Sequence, residues 1–243
     1  MNRSDAKILE TSMEYSGEQV QGYMPPAITA DDCLAALLED ERQAVMDNRK
    51  EIVFEAGESI IKEGFVASNV LYLEEGLVRL NVLVDGRHSA VNLVSPHSFV
   101  GLICTFASHN LMCSARALEP SRVSLIDLQL FERFVKQNGT FALNLTRHIS
   151  AVTSKIVHRL ARLKDKHIDG ALSVLLLEFA EIYQSMDYTI PLNRKEIADI
   201  LGYSKESVIN ALSRMHREGI VKVNGRKIGI LRHDTLHKIS QSG

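Results

Sequence analysis

Polar and basic side chains near the C-terminus offer the most legible chemistry of the chain: Asn193, Arg194 and Lys195, then Ser204, Lys205, Glu206, Ser207 and Asn210. Cations at this density neutralise phosphates, and short amide, hydroxyl and carboxylate groups on one helix face can hydrogen-bond to base edges. Lysine donates to guanine O6 or N7, glutamate accepts from cytosine N4, and asparagine pairs bidentately with adenine. Residues 192–243 hold ten Lys and Arg against five acids, a local +5 in a chain of net charge −2. The other 191 residues therefore carry −7. Double-stranded DNA is the partner this asymmetry implies, provided the cations share one docking element.

A second group lies in the middle of the chain. His88, His97, His109, Met112 and Cys113 could each serve as an axial ligand to haem, with a solvated loop or ordinary packing as the competing reading of each. Cys33, Cys104 and Cys113 are odd in number and widely spaced, which predicts reduced, mostly buried thiols rather than a disulfide framework or a C-x-x-C motif. An iron–sulfur centre needs about four ligands, and Cys33 stands alone in the N-terminal part. His88, followed by Ser89-Ala90-Val91, supplies one ligand where a cupin-like metal enzyme would need a cluster. The sequence thus disfavours an enzyme and predicts no metal site.

The elements that must position these residues fall into four segments of an α+β chain. Residues 1–28 are polar, with Gly22 and Pro25-Pro26, and read as a loosely packed extension without a signal-peptide core. No apolar run reaches the roughly 18 residues of a membrane helix, so a cytoplasmic protein without a membrane partner is expected. Residues 29–137 read as a sensor domain. Thr29 and Asp32 begin one amphipathic helix, carried by Leu34, Leu37, Leu38 and Val45 to about Asn48. From Ile52 to about Asp127, short apolar runs punctuated by Gly57, Gly64, Gly76, Asp85-Gly86 and Pro96 predict an antiparallel β-roll.

Residues 138–168 read as one long helix. Leu145, Ile149, Val152, Ile156 and Leu163 step along it by threes and fours, apart from Arg159, which is the spacing of a coiled-coil seam. Packing on its own domain is the alternative. The length of the helix, and its place between two modules, favour a homodimer seam. In residues 169–243, Asn193 with Glu196 starts a short helix, Gly202-Tyr203 breaks it, and Ser204 caps a second. Asn224-Gly225 between two apolar runs predicts a type I′ hairpin. Two helices, a turn and a hairpin make a winged helix-turn-helix. A protein-interaction module that binds no DNA has the same outline; the +5 charge and the outward polar face argue against it.

The stretch LNRKEIADILGYSKESVINALSRMHREGIVKVNGRKIGI resembles the signature helix-turn-helix and wing of the Crp/Fnr (catabolite activator) family of transcription regulators. FEAGESIIKEGFVASNVLYLEEGLVRL is similar to the opening of that family's β-roll, and the likeness covers about residues 50–232. The resemblance implies an effector-controlled DNA-binding homodimer that works with RNA polymerase. It makes Lys205, Glu206 and Asn210 base-reading residues and puts Asn193, Arg194 and Ser204 on phosphates. The family often has arginine where Asn210 stands, and the activator itself has arginine where Lys205 stands, so a different half-site is implied. DNA bending and half-sites about one helical turn apart are likewise implied.

The resemblance also outlines an effector pocket from Gly101, Leu102, Ile103, Cys113, Ser114, Arg116, Ile156 and Val157. Leu102 stands where relatives that bind cyclic nucleotides have the ribose-holding glutamate, and Cys113 where they have the phosphate-holding arginine. Ile156 and Val157 replace polar residues that contact adenine. A phosphate without its arginine loses a bidentate, charge-assisted contact, so cyclic AMP is disfavoured, although Arg116 could supply a displaced charge. Some relatives sense gases through haem, which keeps a haem-based gas or redox sensor as the alternative. An unknown small-molecule effector is otherwise expected.

Overall fold

The computed structural model describes residues 28–84, 86–107 and 110–242; residues 1–27, and with them nearly all of the polar extension, Asp85 of the Asp85-Gly86 turn, and His109 lie outside the described residues. The N-terminal helical stretch is two helices, α1 (Ala30–Ala35) and α2 (Glu39–Asn48), rather than the one helix expected. Thr29 starts the first by a capping box, its Oγ1 accepting from the Asp32 N–H at 3.1 Å while the Asp32 carboxylate accepts from the Thr29 N–H at 2.8 Å. A second cap causes the break. The Glu41 carboxylate accepts from the Leu38 N–H at 2.8 Å and from Asn138 Nδ2 at 2.7 Å, so a new helix begins at Glu39.

Eight strands follow: β1 (Lys50–Phe54), β2 (Ser59–Ile61), β3 (Asn69–Glu75), β4 (Val78–Val84), β5 (Arg87–Val94), β6 (Ser98–Val100) and, after helix α3 (Leu102–Ala107), β7 (Ser114–Ala117) and β8 (Ser121–Asp127). They form two four-stranded antiparallel sheets, β1-β8-β3-β6 and β2-β7-β4-β5. Period-two alternation divides their side chains between two cores. Leu73, Val78, Leu80, Val94, Val100 and Val123 meet between the sheets. Val70, Tyr72 and Phe99 face the other way, onto a helical layer built from α1, α2, α4 (Leu128–Gln137) and α5 (Gly139–Lys164). Phe131 joins that layer edge-on to Phe99 at 5.7 Å and to Phe141 at 5.1 Å.

The C-terminal unit comprises α6 (Ile168–Tyr183), β9 (Asp187–Thr189), α7 (Arg194–Leu201), α8 (Lys205–Arg217), β10 (Val221–Asn224), β11 (Lys227–Ile230) and α9 (His233–Ser242). Leu172, Leu175, Leu176 and Phe179 of α6 centre its core with Ile197, Val208, Leu212 and Leu236. Strand β9, unmarked by any sequence signal, completes a wing sheet of order β10-β11-β9. That core also takes in Leu77, Leu93 and Leu118 of the roll, so the outer face of the second sheet packs on the winged unit.

Helix α5 carries the chief departure from the sequence reading. Leu145 is only 4 % exposed and packs in the helical core of its own roll, with Ile149 beside it. Val152 and Ile156 border a cavity in the roll, Arg159 pairs with Glu178 of α6 at 3.1 Å, and Leu163 packs on the winged unit. The row expected to meet a partner is therefore turned towards the chain's own domains. An opposite row, Leu143, Thr146, Ser150, Thr153, Val157 and Leu160, also steps by threes and fours and is partly or wholly exposed.

Candidate nucleic-acid interface

Two caps place the helices that carry the polar cluster. Asn193 Oδ1 accepts from the N–H groups of Lys195 and Glu196, at 2.9 and 3.0 Å, and the Glu196 carboxylate accepts from the Asn193 N–H at 2.7 Å. Asn193 thus spends its side-chain oxygen on α7. Gly202 ends α7 at φ 74, a left-handed position that an L side chain adopts only with strain. Ser204 Oγ then accepts from the Ser207 N–H at 3.0 Å and lies 2.9 Å from the Ser207 hydroxyl, capping α8. These serines share one hydrogen-bonded N-terminus, where backbone N–H groups and the helix dipole favour an anion.

Helix α8 buries Val208, Ala211, Leu212 and Met215 and exposes Lys205, Glu206, Ile209, Asn210 and Ser213. Its buried stripe locks the helix against α6, α7 and β10, so the exposed side chains project from a rigid support. Arg214, on its flank, is tied to Asp169 of α6. The wing differs in register from the expected hairpin: Asn224 pairs with Lys227, so Gly225 and Arg226 form the loop. Gly225 has φ 59 and Arg226 does not share a positive φ, the pattern of a type II′ turn with glycine first rather than type I′. Lys222, Arg226 and Lys227 are exposed on this wing.

Arg194 takes a different place from the one the resemblance implied. Its Nη2 donates to the Gly225 carbonyl at 2.6 Å, while Nη1 is buried without a protein partner. Burial, with Arg226 close by, holds its guanidinium below the usual arginine range. Arg194 is thus a strut between α7 and the wing turn, and Lys195 is the exposed cation of the pair. Arg194→Ala is expected to lower the unfolding free energy by about 1 kcal/mol and to weaken binding to all DNA sequences alike. Arg194→Lys should rescue it only in part, because a lysine ammonium can replace the one bond to the Gly225 carbonyl but is more strongly hydrated and costlier to bury. Lys195→Ala should leave thermal stability unchanged and lower the salt slope of DNA binding by about one unit. Thermal melts and anisotropy titrations over a salt series check all three.

The winged unit rests on the roll through α7. Arg79 on β4 and Arg116 on β7 are register partners on the sheet's outer face, and Arg79 lies in the field of Glu196 and Asp199. Its Nε is buried without a partner, and burial pulls its guanidinium below the usual range. Arg116 does not face the cavity: strand alternation sends Cys113, Ala115 and Ala117 inwards and Ser114 and Arg116 outwards.

Inside the roll a cavity of about 30 Å³ remains, room for roughly one or two waters. Gly101, Leu102, Ile103 and Ile156 border it as expected, together with Phe99 and Val152. Cys113 stands just behind Gly101, whose added Cβ would lie 3.4 Å from the Cys113 Sγ and 2.8 Å from Ile61. Val157 points away and is 58 % exposed. Two polar lining residues escaped the sequence reading, Asn92 and His148. His148 is buried, with its ring edge-on to Phe99 and its Nδ1 donating to the Ile28 carbonyl at 2.8 Å. Among the described residues, no arginine or carboxylate borders the cavity. Among the described residues the haem ligand candidates stand apart: His88 lies exposed on β5, Met112 is exposed, Cys113 is buried, and His97 sits at the surface against Asp31 and Tyr72.

A two-sheet roll joined by a long helix to a winged helix-turn-helix defines a class of DNA-binding transcription regulator. The chain matches the cyclic nucleotide-binding domain over residues 51–138 and the Crp-like helix-turn-helix domain over residues 154–239. It is 23 % identical over 172 residues to the anaerobic regulatory protein of Bacillus subtilis, covering 68 % of this chain and 72 % of that one. It is also 23 % identical over 188 residues to the nitrogen fixation regulation protein FixK of Bradyrhizobium diazoefficiens, covering 75 % and 78 %. The fold matches the structure of FixK2 from Bradyrhizobium japonicum with a TM-score of 0.71 at 24 % identity, over 80 % of this chain and 98 % of that one. This chain belongs to the Crp/Fnr family of transcription regulators. Members of that family are not enzymes, which removes the cupin-like reading.

Proposed function

We propose that this regulator binds a two-fold-symmetric DNA site as a homodimer, reads it with Lys205, Glu206 and Asn210, and responds to a signal other than a cyclic nucleotide. The observation that carries the DNA-reading part is the exposed polar face of α8, framed by the cations of the wing. Small polar side chains on a rigid helix suit base edges in the major groove, and Lys195, Lys222, Arg226 and Lys227 suit the flanking phosphates. The dimer seam is the exposed row of α5 containing Leu143, Val157 and Leu160. RNA polymerase is the partner through which a bound dimer acts.

The lining of the roll supports the second part. Leu102 occupies the wall where an acid would hold a ribose, Arg116 points outwards, and apolar side chains fill most of the space. Haem finds as little support, because its candidate ligands among the described residues stand apart and the cavity lacks its volume. The test is a pair of titrations on the purified full-length protein. Selection from random DNA should return a symmetric consensus bound with a steep salt dependence. Cyclic AMP at millimolar concentration should leave both the Tm and the DNA affinity unchanged, whereas binding to the native state would raise the Tm by mass action. Failure to select any sequence would overturn the first part, and a thermal shift the second.

A further inference from the structure

Neither the DNA-reading surface nor the cavity accounts for Cys104 and Cys113. Cys104 lies on α3, its N–H donating to the Gly101 carbonyl at 2.9 Å, and its side chain packs on the inter-sheet core that contains Cys113. There the Cys113 Sγ lies beside Gly101, whose carbonyl accepts the Cys104 N–H, so the two thiols are neighbours in one core. Cys104 is partly exposed and Cys113 fully buried. The interaction of the pair draws the Cys104 thiol below its usual pKa, and the same interaction together with burial pushes the Cys113 thiol up, so Cys104 is the more readily ionised of the two. The third cysteine behaves otherwise: Cys33 is buried in the helical core, and burial pushes its pKa up to about 12.

We propose that Cys104 and Cys113 form a reversible dithiol–disulfide pair through which hydroperoxides reset the DNA affinity of this regulator. The redox chemistry stands on the neighbouring thiols, and its consequence rests on the DNA-binding reading above. The Cys104 thiolate attacks a hydroperoxide ROOH and becomes a sulfenic acid, with ROH leaving. The Cys113 sulfur then bonds to the sulfenic sulfur; its proton and the departing hydroxyl leave as water. Two thiols lose two electrons and the hydroperoxide gains them, for a net yield of one disulfide, one ROH and one water. A dithiol reductant reverses the change by exchange.

To form the disulfide, the neighbouring thiols must close to an S–S separation of about 2.05 Å, which draws α3 towards the start of β7. Leu102 and Ile103 on α3 face Ile149, Val152 and Ile156 of α5 across the cavity, and the Phe106 ring lies 6.1 Å from Phe131. A shift of α3 is therefore felt by the helix that joins roll to winged unit.

The experiment uses the reduced full-length protein with stoichiometric hydrogen peroxide. Alkylation and non-reducing peptide mapping by mass spectrometry are paired with anisotropy on the selected DNA site. The expected result is a Cys104–Cys113 linked peptide, an alkylated Cys33, and a change in DNA affinity of about fivefold or more, all reversed by dithiothreitol. Cys104→Ser should make affinity insensitive to peroxide, and Cys113→Ala should stop at a sulfenic acid on Cys104 that dimedone traps. Absence of the link, a link between protomers instead, or a link that leaves affinity unchanged would overturn the proposal. Reduced protein that binds no DNA would instead overturn the reading beneath it, and the peptide map would still report on the thiol pair.

Discussion

Val157→Lys with Leu160→Lys is expected to convert the dimer into a monomer that binds its symmetric DNA site about 10²- to 10⁴-fold more weakly, the avidity lost when two linked half-site contacts become one. The two residues are 58 % and 42 % exposed on α5 and share a row with Leu143, so a second copy is what would bury them. Helix α5 carries Arg147, Lys155, Arg159, Arg162 and Lys164 and no Asp or Glu, so an added lysine finds no acid on the opposing α5 and meets like charge instead. Leu145→Ala makes the contrast. That side chain lies in the roll's own helical core, so its loss should cost about 2–5 kcal/mol of stability while the protein remains a dimer. Sedimentation equilibrium at micromolar concentration reads the first effect and thermal unfolding the second. A dimeric double lysine variant would show that the seam lies elsewhere.

Helix α5 carries more than one row of helical spacing. Two rows on the same helix, one through Leu145 and Ile156 and one through Leu143 and Val157, both step by threes and fours. Periodicity ranks the more apolar row first. The roll claims that row for its core, because Val70, Tyr72, Phe99 and Phe131 need a cover. Features decided within a few residues were legible by contrast: the caps at Thr29, Asn193 and Ser204 depend on bonds spanning at most three positions, and all are present. The wing register was not legible to the residue. Asn-Gly favours a type I′ turn in isolation, but Ile228 must also pair with Tyr188 of β9, and the two-sided pairing puts Gly225 and Arg226 in the loop.

Arg116 and the cysteine pair differ in what local sequence carries. Counting in twos from buried Cys113 sends Arg116 to the outer face, so period-two alternation alone argued against its use as a phosphate ligand. The meeting of Cys104 with Cys113 has no such signature. It depends on Gly101, whose φ of 68 turns the chain from β6 into α3 and sets Cys104 against the inter-sheet core.

Glu206→Ala should change which DNA is chosen without weakening the grip on DNA in general. Glu206 lies in the first turn of α8, exposed, beyond the Ser204–Ser207 cap that offers N–H and hydroxyl donors to a phosphate. A carboxylate repels a phosphate it approaches, so its favourable contact with DNA is acceptance from a base, and cytosine N4 is the donor exposed in the major groove that best suits it. Removing it should relax discrimination at one symmetric pair of positions by about 1–3 kcal/mol per half-site, or roughly 5- to 150-fold in preference for each half. Non-specific affinity should stay level or rise slightly, since a negative charge has left the interface. The helix itself should tolerate the change, although an acid in the first turn favours the dipole and its loss costs a few tenths of a kcal/mol. Site selection from random DNA with wild type, Glu206→Ala and Lys195→Ala separates the roles: the first variant should lose one symmetric base preference, and the second should keep the whole consensus at lower affinity. If Glu206→Ala returned the wild-type consensus at every position, α8 would not be the element that reads the bases.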